Sequence, residues 1–259
     1  MSFIQRLLLH TNSFFLAFVA VGVSIAVASL TTLATGYVIS YERRKENNTS
    51  KIILFGASAL VYAVLLTVVL LSAWFGFQNA QSNAQKEANC LVELYRDTEA
   101  FLPEIKEEIH SLLREYTKSI LGEEWHALAK SELNPATTEI AKKIWKVYST
   151  LSPKTETEQV FLHESVRKLY ELREYRTQRL FDSKTGVYGV IWFLLILGEV
   201  ATVFSIAVFA EDLRSSFAIT CLFGFLVGII FYAIVLFDYP YTGQFRVYPD
   251  AFKQVLLSW

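Results

Sequence analysis

The sequence is short of nearly everything that marks a soluble enzyme. It holds 2 cysteines, 4 histidines and 5 prolines in 259 residues. The cysteines, Cys90 in a charged stretch and Cys221 in an apolar one, support no disulfide framework, and buried inert thiols are the plain reading. The histidines, His10, His110, His126 and His163, lack the H-E-x-x-H or paired helical spacing of a metal site, so no metal ligand is expected. No G-x-S-x-G, Walker A loop or dinucleotide fingerprint is present, so no catalytic residue and no cofactor are assigned. Glu123 and Glu124 beside Trp125 read as a solvated helix start rather than an acid–base pair. Charge of one sign is also missing: a net charge of −1 lacks the basic face of a nucleic-acid binder. Strand-like alternation, internal repeats and low-complexity tracts are absent too.

What is present is apolar length. Hydrophobic residues make up 53% of the chain. They concentrate in four runs, at about Asn12–Ser40, Ile52–Phe77, Tyr188–Ala210 and Ser215–Phe237. A helix needs roughly 20 apolar residues to cross the hydrocarbon core, and each run reaches that length. Only helices and closed barrels satisfy their backbone groups in lipid, and unbroken runs of this length mean helices. An all-α integral membrane protein with four transmembrane helices follows, its helical soluble domain inserted between spans two and three. The expected divisions are 1–77 for a first hairpin, 78–187 for the soluble domain, 188–237 for a second hairpin and 238–259 for a tail.

Ala26-Val27-Ala28 has the small-residue pattern of a signal cleavage site, but the uncharged stretch continues to Tyr41. A retained span fits it better. An even number of spans puts both ends and the soluble domain on one side of the bilayer. Total basic residues favour the cytoplasm for that side, although Arg43, Arg44, Lys45 and Lys51 crowd the first short loop. The expected location is the plasma membrane, as in a bacterial inner membrane.

The soluble segment reads as helices throughout. Ala80, Ala84, Ala88, Leu91 and Tyr95 recur at helical spacing, which predicts that span two runs on without a break. Pro103 suits the first turn of a new helix, which Gly122 is expected to end. Thr155 and Glu158 have capping-box spacing and open a helix to about Phe181. Its apolar side is thin, with Val160, Phe161, Val166, Leu169, Leu172 and Leu180.

Three features point to function. On span two, Gly56, Leu60, Ala63, Thr67, Leu70 and Trp74 are spaced to line one side of a helix. That stripe suits close packing within a subunit, or a narrow apolar constriction that gates by dewetting. Glu199 lies midway along span three, where a charge costs roughly 3 kcal/mol and needs a partner, a cavity or a proton. At the membrane exit, Asp238-Tyr239-Pro240-Tyr241-Thr242-Gly243 forms a Pro-and-Gly turn. It suits a fold-back of the tail against the soluble domain, or a ligand site.

The stretch Gly56-Ala57-Ser58-Ala59-Leu60-Val61-Tyr62-Ala63-Val64-Leu65-Leu66, with Trp74 beyond it, resembles the second span of the bestrophin-like domain family. Leu94-Tyr95-Arg96, Glu123-Glu124-Trp125 and Asp238-x-Pro240-Tyr241-x-Gly243 with Val247-x-Pro249 are similar to its other recurring patches. The resemblance covers roughly Glu46 onward. Bestrophins proper are pentameric anion channels whose second span lines a hydrophobic neck above a cytoplasmic helical domain. The resemblance therefore implies a homo-oligomer, by analogy a pentamer, with span two at the axis. Where bestrophins carry bulky neck aromatics, the counterparts here are Gly56, Leu60 and Val64, and no acidic calcium clasp follows span four.

The expected function is an oligomeric, anion-conducting channel whose partners are the lipid bilayer, further copies of itself and inorganic ions such as chloride. The alternative is a non-conducting scaffold or sensor whose helical domain docks a partner. No enzymatic role is expected.

Overall fold

The computed structural model describes residues 3–38, 48–184, 186–209 and 213–259. Among them no strand occurs, and the regular structure is helical. In chain order the helices are α1 (Phe3–His10), α2 (Ser13–Val38), α3 (Asn48–Asp97) and α4 (Pro103–Ser119). A π-helical turn, Ile120–Glu124, leads into α5 (Trp125–Ala129). Then come α6 (Pro135–Thr150), α7 (Glu156–Asp182), α8 (Gly189–Phe209), α9 (Leu213–Asp238) and α10 (Asp250–Ser258). The C-terminal limits expected for the first and third spans, Ser40 and Ala210, and the loop cations Arg43, Arg44 and Lys45 lie outside the described residues.

Among the described residues, four helices are long and apolar enough to cross a membrane: Ser13–Val38, Phe55–Ala100, Gly189–Val208 and Arg214–Asp238. The chain divides into two compact units. One comprises His10–Phe75 and Gly186–Asp238; the other comprises Met1–Leu9, Gly76–Thr185 and Tyr239–Trp259.

The membrane unit is held by close backbone approach. Gly224 and Gly228, one helical turn apart on α9, face α2. A Cβ on Gly228 would come within 2.5 Å of the Val21 Cα, and one on Gly224 within 3.1 Å of Ser24 and Ile25 backbone atoms. Small residues are therefore required on the α9 side, spaced as in a small-xxx-small membrane contact. Gly198 on α8 plays the same part against the Tyr62 ring, which a Cβ would meet at 2.5 Å. The apolar core joins Tyr62, Leu66, Val69 and Ala73 of α3 to Leu195 of α8 and Val227, Phe231 and Ile234 of α9.

In the helical unit, α3 continues unbroken to Asp97, giving a 50-residue helix. At 1.5 Å per residue it is about 75 Å long, more than twice the hydrocarbon thickness. Ala80, Ala84, Ala88 and Leu91 are buried, as their spacing predicts. Pro103 is the first residue of α4. Gly122 does not end that helix. It sits inside the π turn, which absorbs one extra residue and leads straight into α5.

At the start of α7, the Thr155 hydroxyl accepts from the Glu158 amide at 3.1 Å, but the Glu158 carboxylate accepts from Lys154 N at 2.6 Å. The capping box is therefore offset by one residue on its return bond. Of the expected apolar side of α7, Leu169 and Leu172 are buried while Val160 is exposed. A fully buried Arg179 supplies the remaining contact.

Candidate functional site

The span-two stripe is part of the apolar surface that the membrane unit presents, alongside exposed residues of α2, α8 and α9 such as Phe18, Phe193 and Leu222. Tyr62, Leu66, Val69 and Ala73 turn one face of α3 into the core. Leu60 and Val64 point away from it and are 67% and 56% exposed. Ala63 and Thr67 are exposed as well, and Gly56 has nothing within 4 Å of a built Cβ. The Thr67 hydroxyl donates to the Ala63 carbonyl of its own helix at 2.7 Å. Leu70 packs at the margin of the core, and Trp74 makes an edge contact with Phe237 at 4.9 Å between ring centres. The stripe thus grades from an open upper part, Gly56–Thr67, to a half-covered lower part, Leu70–Trp74. Between α3 and α9 runs an apolar groove of about 240 Å³ whose walls include Ala59, Ala63, Thr67 and Leu70.

Glu199 faces the opposite way. It is fully buried and hydrogen-bonded by the Ser24 hydroxyl of α2. Its Oε2 has no partner among the described residues, nor does the buried hydroxyl of Tyr62. Other polar pairs continue this seam among the spans. The Thr32 and Thr220 hydroxyls lie 3.0 Å apart, those of Ser58 and Ser205 3.3 Å, and Ser29 meets Cys221 at 3.7 Å. Ser and Thr carry such a seam at low cost because their hydroxyls also bond to the carbonyl a turn back, as Thr32 does to Ala28 at 2.8 Å. The Gly224-x-x-x-Gly228 spacing was a readable signal for the α2–α9 contact, whereas nothing in the sequence paired Ser24 with Glu199.

The tail residues Asp238, Tyr239, Tyr241 and Thr242 are buried. Asp238 ends α9, and its carboxylate accepts from the Val187 amide at 2.5 Å. Pro240 offers its carbonyl to Val247 N at 2.7 Å, and Thr242 N donates to Tyr239 O at 3.0 Å. Tyr241 is buried and donates to the Ala80 carbonyl of α3 at 3.1 Å. Gly243 has φ +86°, a left-handed conformation that glycine adopts without a Cβ penalty. Thr242 bonds the Ala129 carbonyl at 3.0 Å, and Gln5 of α1 reaches the same carbonyl at 3.2 Å. Gln5 of α1 and Thr242 of the tail therefore close on one spot of the helical unit.

Sequence reasoning passed over the most polar part of that unit. Glu124, read as a solvated helix start, is fully buried. It binds Arg179 at 2.6 Å and Arg176 at 2.9 Å. Arg179 also binds Glu87 of α3 at 2.6 Å, and the Tyr116 hydroxyl donates to Glu87 at 2.9 Å. Burial pushes the Glu124 carboxyl up, but Arg179 and Arg176 together outweigh it and hold the group below the usual carboxylate range. Burial likewise pulls Arg179 down, and Glu87 and Glu124 overcome it, so the guanidinium stays charged. The solvated reading fails because the π turn directs Glu124 inward to two arginines that are distant in sequence. The isolated Glu-Glu-Trp triplet could not signal this.

Fold and site together define a four-span, all-α membrane protein whose second span carries an uncovered apolar stripe. Its sequence matches the Bestrophin-like domain model over residues 22–252, and the chain belongs to that family. Solved structures agree on the fold. One is described as a membrane protein, with 13% identity and a TM-score of 0.67, covering 93% of this chain and 97% of that one. Two others are single-substitution variants of a bacterial bestrophin homologue from Klebsiella pneumoniae. Both are 15% identical and cover 93% of this chain, with TM-scores of 0.68 and 0.65 over 98% and 99% of theirs. No curated protein sequence matches the chain.

Proposed function

We propose that this protein is an oligomeric ion channel of the plasma membrane, anion-conducting, with span two lining the pore and the helical unit in the cytoplasm. The observation that carries the reading is the open stripe itself. Gly56, Leu60, Ala63, Val64 and Thr67 are turned away from the subunit's core, on a span whose other face is fully used. In a ring of copies this stripe would converge on an axis and form an apolar constriction that opens by wetting. It carries no carboxylate to hold cations, and bestrophin kinship supports anions. Glu199 lies inside one subunit's bundle, so we assign it to joining α2 and α8 rather than to the path.

Ion flux into liposomes containing the purified chain tests this. Leu60→Ser or Ala63→Ser should stabilise water in the constriction and raise flux several-fold without altering the fold. Glu199→Gln keeps the shape while removing an ionisable group, and should change thermal stability but not the anion-to-cation ratio. If wild type and both stripe variants pass no monovalent ion above empty liposomes, conduction is excluded and a membrane scaffold is the remaining role. A changed selectivity in Glu199→Gln would move Glu199 into the path.

A further inference from the structure

A cavity of about 500 Å³ opens in the helical unit among α4, α6 and α7. We propose that it is a binding site for a small aromatic anion, meaning a planar ring bearing a carboxylate or phosphate. Conduction plays no part in the argument, so the site and the channel stand or fall separately.

The chemistry of the walls selects the ligand. Three cations, Lys142, Arg173 and Arg176, line the cavity, and no carboxylate does. Their existing partners differ. Arg176 donates to both Glu124 oxygens, at 3.3 and 2.9 Å, and to the Thr138 hydroxyl at 3.1 Å. Those bonds use Nε and Nη2 and fix the guanidinium plane, leaving Nη1 without a partner among the described residues. Lys142 meets Glu139 at 2.7 Å, but both groups are largely exposed and such a pair contributes little. Arg173 is exposed and has no side-chain partner among the described residues, so its guanidinium is open to a ligand. An anion entering here finds the Nη1 of an oriented guanidinium, a second guanidinium and one weakly held ammonium, donors suited to carboxylate or phosphate.

The rest of the wall is aromatic and apolar. Trp145 and Tyr170 meet edge to face, 4.9 Å between ring centres, above a floor that includes the buried Leu169 and Leu172. A wholly hydrated ion gains nothing from such a surface, whereas a planar ring does. The volume lies within the range of pockets that enclose small organic ligands. Arg176 also ties the cavity through Glu124 to Arg179 and Glu87, the latter on the helix that carries span two. Occupancy would therefore be felt by the buried ion cluster.

The full-length chain in nanodiscs, titrated calorimetrically with indole-3-acetate, AMP, adenosine and inorganic phosphate, tests the site. At least one of the two aromatic anions should bind saturably, with adenosine and phosphate at least ten-fold weaker. Preference for indole-3-acetate or for AMP identifies a carboxylate or a phosphate as the anionic group. Arg173→Ala, at an exposed position, should weaken binding at least five-fold, with partial recovery in Arg173→Lys, and Trp145→Leu should weaken it similarly. Lys118→Ala, outside the cavity, should bind like wild type. The proposal is overturned if neither aromatic anion saturates, if adenosine binds as tightly as AMP, or if Arg173→Ala leaves affinity unchanged.

Discussion

Arg179 has no access to water, yet it carries a full charge, and that combination decides how the helical unit tolerates substitution. Its guanidinium lies over the rings of Trp125 and Phe252, at 5.4 and 5.8 Å, and bonds Glu87 and Glu124. Replacing it with Met would keep much of the bulk but leave two buried carboxylates facing one another. Breaking a buried pair this way costs about 3–5 kcal/mol, far more than an exposed pair. Arg179→Met should therefore lower the unfolding free energy of the chain by that amount in chemical denaturation. Lys142→Ala, which removes an exposed pair, should shift it by less than about 1 kcal/mol.

His110 is a second residue whose surroundings can be read as a pH response. It is 3% exposed and stacked on Tyr95, with Nε2 at 2.6 Å from the Thr98 hydroxyl. Burial lowers its pKa below 6.5; the Tyr95 carbonyl and Glu107 pull it back up, while Lys106 and Arg114 lower it further. A basic group with a depressed folded pKa binds fewer protons in the folded chain than in the unfolded one. Stability from this site is complete above the unfolded pKa and is lost as pH falls below it. Melting temperatures at pH 7, 6 and 5 should decline in wild type, and His110→Gln should flatten the decline. A difference between the two proteins that does not vary with pH would show that His110 is not the titrating group.

At the scale of the element, the membrane helices are held by what is missing from their surfaces rather than by bulky packing. Gly224 and Gly228 let α9 lie against the α2 backbone, and the hydroxyl pair Thr32–Thr220 lies along the same contact. Gly228→Ala places a methyl within 2.5 Å of the Val21 Cα, a backbone atom that cannot rotate aside. Overpacking of this kind costs about 1–3 kcal/mol. Gly56→Ala, with nothing within 4 Å in the subunit, should cost only a fraction of that. Thermal unfolding in one detergent should rank the two accordingly. Equal losses would mean that Gly56 is covered by something outside the subunit.

On the scale of the whole molecule, the proposed channel requires the open stripe to face other copies of the chain. Single cysteines at Leu60, Ala63 or Thr67, in a chain with Cys90 and Cys221 replaced by Ser, should cross-link subunits in membranes. Cysteines at Leu222 and Ile229, on the exposed surface of α9 away from the α3–α9 groove, should not. Cross-linking confined to α9 would refute an axis lined by span two.

Hydropathy and spacing alone determined the four spans, the all-helical class, the unbroken run of α3 and the N-terminus of α4 at Pro103. These are decided by nearest neighbours along the chain. Lipid admits only satisfied backbones, and a helix continues until a residue stops it. The tail turn and Glu199 were legible as anomalies, because a Pro–Gly run and an intramembrane acid are conspicuous in any context. Only the tertiary structure decided their partners. Ser24 and Glu199 are 175 positions apart, Arg179 and Glu87 are 92 apart, and Tyr241 and Ala80 are 161 apart. Spacing on one helix cannot encode such pairings. The sequence therefore named Glu199 without its hydroxyl partner and put Glu124 in water. It is the π turn and the long reach of α7 that bring Glu124 to its arginines, since burying a charge is tolerable only where another element delivers the opposite charge to the same place.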